Sequence, residues 1–183
     1  MSKLMMYKGN IVDIFNLREE DVDVEIIKLG ACRINRFLGQ TEYLYPVASH
    51  LIGGFYYLRD YGYTRTEMKQ WLIHEAFESY SGVDLPSPLK ALLPEYKKAE
   101  QEALYVVAKV LGVNPPDSEV IKEIDREIMV AEALVLTHND EYWLNFAKEE
   151  GIIPLSSDYV LPYKTESELK ALLDEIFEEV FSI

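Results

Sequence analysis

The sequence predicts a mainly α-helical single domain with a short extended arm at its N-terminus. Three observations carry that expectation. Apolar residues recur at helical spacing, as in Leu104, Val107 and Leu111, or Ile121, Ile124 and Ile128. Helix-start chemistry stands where such stripes begin, most fully in the capping box Thr165-Glu-Ser-Glu168. Prolines and glycines fall between the stripes rather than inside them. A length of 183 residues suits one domain with a proper core.

Taken in order, Tyr7–Leu17 holds the short apolar run Ile11-Val-Asp-Ile-Phe15 between turn signals, which predicts one brief strand or extended arm. From Asp21 onward the pattern is helical. Ile26, Ile27 and Leu29 lead through Arg33-Ile-Asn-Arg-Phe-Leu-Gly39, with Gly39 suited to a helix stop. Pro46 opens a helix running to about Tyr61. Thr66 is expected to cap a third helix, Glu67 to about Tyr80. Ser81-Gly-Val-Asp-Leu-Pro-Ser-Pro88 reads as a rigid loop. Pro94 opens a helix through Leu111, and Ser118 caps a long one that follows. After the unassigned stretch 137–164, Leu169, Leu172, Leu173, Ile176, Phe177 and Val180 form a last apolar stripe.

The formal net charge of −14 and pI near 4.6 argue against a nucleic-acid backbone as partner, while leaving room for a small phosphorylated ligand. A single cysteine, Cys32, no secretory start and no membrane-length apolar run predict a cytoplasmic protein without disulfides.

The chemistry concentrates around two of the three histidines. His50 lies on the helix after Pro46, and His74 lies in Trp71-Leu-Ile-His-Glu-Ala-Phe-Glu78. On a continuous helix Trp71, His74, Glu75 and Glu78 share one face. Asp125 sits on the apolar stripe between Ile121 and Ile128. Acids and imidazoles in such surroundings need a partner, either a metal or a hydrogen-bond network. Gly53-Gly54 predicts a close helix contact, His138 an exposed loop residue, and Phe55-Tyr-Tyr57 with Tyr61 and Tyr63 a core or subunit interface.

Arg33-Ile-Asn-Arg-Phe-Leu-Gly39, Tyr45-Pro-Val-Ala-Ser-His50, His74-Glu-Ala-Phe-Glu78, Gly82-Val-Asp-Leu-Pro-Ser-Pro-Leu-Lys90 and Lys122-Glu-Ile-Asp125 together resemble the HD-domain phosphohydrolases. The likeness is greatest to bacterial 5′-deoxynucleotidases and to phage HD proteins that include dATP triphosphohydrolases. It runs from about Tyr7 to about Leu136. It implies a single HD-domain helical bundle that hydrolyses deoxynucleotide phosphates in the cytoplasm, usually as a homo-oligomer. It further implies a divalent metal (Mn, Co, Zn or Fe, with Mg also possible) on His50, His74, Glu75 and Asp125. Glu78 and Asp84 would be the catalytic acids, and Arg33, Arg36, Phe37 and Lys90 would meet the substrate. Two departures stand out. Val83 is inserted between Gly82 and Asp84, and Glu75 replaces the aspartate of the family's doublet. The second leaves two outcomes: a shifted but working site, or a disabled nucleotide-binding or scaffold protein. The retention of Glu78, Asp84 and Asp125 favours the first.

Overall fold

A computed structural model describes residues 3–182. Its N-terminal arm is a two-stranded antiparallel hairpin, β1 (Lys3–Met5) on β2 (Ile11–Asp13), with Leu4 opposite Val12. The expected single strand thus has a partner from its own N-terminal side. Everything after it is helical or loop, as the sequence predicts: α1 (Val24–Arg33), α2 (Val47–Asp60), α3 (Arg65–Ile73), α4 (Ala76–Ser81), α5 (Ser87–Lys90), α6 (Pro94–Leu111), α7 (Glu119–Leu136), α8 (Asp140–Glu150) and α9 (Glu166–Phe181). Among the described residues no helix is long and apolar enough to cross a membrane.

The starts of the helices follow their side chains. Asp23 accepts from the Glu25 amide, Ser118 from Ile121 and Asn139 from Tyr142, each removing one orphan donor of a first turn. Thr165 and Glu168 form the expected reciprocal box at α9. At α3 the cap is Thr64, boxed with Glu67, and not Thr66. A glutamate three residues on selects Thr64, because only that spacing lets its carboxylate return to the cap amide. Asn139 also opens α8, which occupies the stretch that carried no clear sequence signal.

Two sequence-based boundaries move, and both moves build the site. Helix α1 stops at Arg33, six residues before Gly39. Ile34 and Asn35 are extended and pair with the leg before α2: Arg36 donates to the Tyr45 carbonyl (2.9 Å) and Val47 to that of Ile34 (2.8 Å). The chain then turns through Phe37, Leu38 and Gly39, all left-handed, with φ of 53°, 55° and 71°. For Phe37 and Leu38 that conformation costs about 1–2 kcal/mol each. The second move splits the expected helix 67–80 into α3 and α4. The His74 ring Nδ1 donates to the Trp71 carbonyl at 2.6 Å, an acceptor that an unbroken helix would offer to the amide of Glu75. Glu75 accordingly sits at φ −102°, ψ 17°, outside the helical region.

Helix α2 lies at the centre, packed on α1, α3, α7 and α9. Its Leu51, Ile52, Phe55 and Leu58 share a core with Ile121, Ile124 and Ile128 of α7 and Leu169, Leu173, Ile176 and Phe177 of α9. The last stripe of the sequence is therefore satisfied within the chain. A second apolar cluster joins the hairpin (Val12, Ile14) to α1, α4 and α6. Gly53 and Gly54 are required by close approach. A Cβ on Gly53 would stand 2.2 Å from the Tyr159 carbonyl oxygen, and one on Gly54 would stand 2.0 Å from the Trp71 ring. The Trp71 indole also donates to the Leu51 carbonyl at 2.8 Å, fixing α3 against α2. The tyrosines are divided. Tyr57 meets Tyr61 and Tyr159 at ring distances of 4.5 and 5.3 Å near the surface, while Phe55 is fully buried. His138 is exposed beside Glu42.

Because Trp71 lies directly beneath His74, Gly54→Ala is expected to destabilise the fold by about 1–3 kcal/mol, the usual range for overpacking. Urea unfolding should show the midpoint fall.

Candidate metal centre

Three segments deliver the site. His50 stands on α2, His74 and Glu75 occupy the break between α3 and α4, and Asp125 stands on α7. One ligand atom from each of these residues falls within 4.8 Å of all the others. The two Nε2 atoms lie 3.3 Å apart. Asp125 Oδ1 is 3.3 Å from His50 Nε2 and 3.8 Å from His74 Nε2, and Glu75 Oε1 is 3.6 Å from His74 Nε2.

Hydrogen bonding fixes the tautomers. His74 Nδ1 faces a carbonyl oxygen, which only accepts, so Nδ1 carries a proton. His50 Nδ1 faces Glu132 Oε1 at 2.8 Å and donates to that carboxylate. In the neutral rings both Nε2 atoms then present lone pairs to the same point. Lone pairs facing at 3.3 Å repel, and a cation between them, a metal ion or a proton, removes the repulsion. The spacing fits a metal: nitrogens at about 2.1 Å from one ion are about 3.0 Å apart at a right angle and about 3.4 Å apart at a tetrahedral one. The donor set, two imidazoles and two carboxylates, fits a divalent ion as well.

Glu132 is the residue that sequence reasoning missed. It is fully buried, and one carboxylate serves two partners: Oε1 accepts from His50, and Oε2 accepts from Arg36 Nε at 2.9 Å. Arg36 in turn reaches Glu75 Oε1 through Nη1 at 3.2 Å. The guanidinium thereby ties Glu75, one carboxylate of the candidate site, to the carboxylate that orients His50. The available signal was position: Glu132 follows Asp125 by seven residues, two turns of α7, among residues that are otherwise apolar or small.

Above the cluster opens a cavity of about 390 Å³. It is lined by Glu75, Asp125, Arg36, Asp84 and Lys90 and by Met129, Trp143 and the rings of Phe37, Tyr142 and Phe146 that gather on Trp143. The predicted residues therefore separate into groups. His50, His74, Glu75 and Asp125 converge. Arg36, Phe37, Asp84 and Lys90 face the cavity. Glu78 is fully buried behind Lys90, off the cavity wall; its Oε1 accepts from Lys90 Nζ at 2.9 Å and its Oε2 has no partner. Arg33 is elsewhere. The end of α1 turns it outward to an exposed ion pair with Glu166 (2.8 Å), so it does not join Arg36 at the site.

The charges are unequal. Glu75, Glu78, Asp84, Glu100, Asp125 and Glu132 outnumber Arg36 and Lys90, and Lys90 is shared between Glu78 and Glu100. Burial, and the neighbouring Glu75, push Glu78 well above the usual carboxylate range. Burial also raises Asp84, against the pull of Arg36. Asp125 is held well below its ordinary range: burial opposes this, but the neighbouring imidazoles of His50 and His74 prevail. For His50, burial and Arg36 favour the neutral ring, yet Glu132 and Asp125 outweigh them and raise its pKa to about 9.

A metal must displace the His50 proton, so affinity should rise with pH, by up to tenfold per unit, and level off above about pH 9. Stability without metal should run the other way. The His50 pKa is raised above its unfolded value near 6.5, so its contribution is full below about pH 6.5 and lost as pH rises through about 9. Melting curves with and without Mn²⁺ from pH 6 to 9 check both slopes. Glu132→Gln, which keeps the shape and removes the charge, should weaken metal binding about 10–100-fold by calorimetry. Glu132→Ala, which strands Arg36, should cost about 3–5 kcal/mol of stability.

No family model matches the chain. It is similar to the uncharacterized protein YfdR of Escherichia coli (strain K12), 28% identical over 144 residues, a match that covers 78% of each chain.

Proposed function

We propose that the protein is a divalent-metal-dependent phosphohydrolase of deoxynucleotides, of the HD-domain kind that its motifs resemble. One observation carries the reading: two imidazole Nε2 atoms converge with two carboxylates, Glu75 and Asp125, that line a cavity whose walls also hold cations and aromatic rings. His50, His74, Glu75 and Asp125 would hold the ion, with Mn, Fe, Co or Zn suited to that donor set. A divalent ion there supplies Lewis acidity toward water and a phosphoryl oxygen.

The chain's own residues do the rest. Arg36 fixes Glu75 and contributes positive charge to the cavity wall, which Lys90 also lines. Asp84 is the acid on the wall, and its raised pKa suits it to give a proton to a leaving sugar oxygen. Glu78, off the wall, positions Lys90. The substrate favoured by charge is a monophosphate. Arg36 and Lys90 are each already matched by two carboxylates, and Arg126 pairs with Glu150, which leaves little free positive charge for a triphosphate tail.

A disabled nucleotide-binding protein is the second reading, favoured by one detail: Glu75 Oε1 is already engaged by Arg36 at 3.2 Å. Incubation of the metal-loaded protein with each dNMP and dNTP under Mn²⁺, Co²⁺ or Mg²⁺ decides between them. Release of phosphate from a dNMP, abolished in His74→Ala and lowered about 10²–10⁴-fold in Asp84→Asn, is the expected result. Triphosphate release would correct the substrate. If the wild type is inert and Glu75→Asp gains activity, the second reading replaces the first.

A further inference from the structure

We propose that the aromatic end of the cavity is a stacking site for the planar heterocycle of a nucleoside, with Trp143 of α8 as its platform. This rests on the phosphohydrolase reading for what lies at the other end, but not for its own geometry. Helix α7 joins the two ends: Asp125 faces the metal cluster, and Met129, one turn on, faces the rings. The left-handed turn after Arg36 places Phe37 on the same wall.

The indole is held from one side. Its Nε1 donates to Thr137 Oγ1 at 3.0 Å, and that hydroxyl donates to the Ala133 carbonyl at 2.7 Å. The polar atom of Trp143 is thus satisfied by Thr137 at the end of α7, and the half-buried indole lines the cavity. Phe37, Tyr142 and Phe146 meet the indole at 6.2, 5.2 and 5.8 Å with interplanar angles of 85°, 82° and 85°. Every one is edge-to-face, and among the described residues no ring lies parallel to it. A flat ligand ring is the partner that this arrangement lacks. Met129 adds a polarizable floor that tolerates different ring shapes. An alkyl chain would also be accepted by apolar walls, but it gains nothing from rigid, orthogonally braced rings, and it does not explain a charged end in the same cavity. Because the platform offers a π face rather than a row of donors, it should require a base yet discriminate weakly among bases, with purines ahead through larger overlap.

The test begins without metal or turnover. Deoxyadenosine and, separately, 2-deoxyribose 5-phosphate are titrated into the metal-free protein while tryptophan emission is followed. Trp71 is fully buried, so Trp143 reports the cavity. Saturable quenching by the nucleoside and not by the sugar phosphate is expected; no quenching by the nucleoside, or equal quenching by both, overturns the proposal. In the metal-loaded protein, Trp143→Ala should raise KM for dAMP about tenfold with kcat little changed, while Trp143→Phe restores most of the loss and KM for 2-deoxyribose 5-phosphate stays put. Unchanged KM for dAMP in Trp143→Ala, with folding confirmed by its melting curve, would sink the stacking site while leaving hydrolysis intact. Nucleoside quenching in a protein that hydrolyses nothing would do the reverse, sparing this site and removing the phosphohydrolase.

Discussion

The buried carboxylate of Glu132 is the constraint on which the rest of the site depends. With one oxygen it accepts the hydrogen bond from His50 Nδ1, and with the other it anchors Arg36, which reaches on to Glu75. An ionised carboxylate in a core is costly unless every neighbour is matched to it. Here the match is made by His50 on α2 and by Arg36 in the turn after α1. The bond to His50 also decides which ring nitrogen is left bare. That choice turns two buried histidines into a pair of converging lone pairs, and so into a place for a cation.

The backbone irregularities serve the same end. Ending α1 at Arg33 and folding residues 34–36 against 45–47 brings Arg36 inward, whereas a helix continued to Gly39 would supply no such return. Breaking the helix at His74 frees the histidine from regular geometry and lets its Nδ1 hold the Trp71 carbonyl. Trp71 is packed on Gly54 below and lies 4.3 Å, ring to ring, from His74 above, so a close helix contact of the core supports the site directly. The strain at Phe37 and Leu38 is the local cost of this arrangement.

The sequence made most of the fold legible, because apolar spacing and caps act locally. Helices α6, α7 and α9 stand where Pro94, Ser118 and Thr165 mark their starts. Charged residues on otherwise apolar stripes also marked His74, Glu75 and Asp125 as needing a buried partner, and the resemblance to the HD phosphohydrolases is what joined them with His50 as one ligand set. What escaped was set by contacts between distant segments. The end of α1 depends on a strand-like pairing with residues 45–47. The split at His74 depends on a side chain competing with the helix ladder. Arg33 and Arg36 look alike in sequence, one turn apart on a supposed helix, and the backbone turn sends them to opposite sides. Glu132 was hidden because a glutamate on a long helix is ordinarily solvated. Its burial became visible only with α2 packed against α7.

The most direct test of a metal centre built from His50, His74, Glu75 and Asp125 is X-ray absorption on the protein loaded with one equivalent of zinc. Two imidazoles in the scattering pattern, with oxygen donors at about 2.0–2.2 Å, are expected. His74→Ala should remove one imidazole, and His50→Ala the other. A spectrum with no imidazole, or one unchanged by both substitutions, would mean that the convergence of these residues is a hydrogen-bonded core and not a metal site.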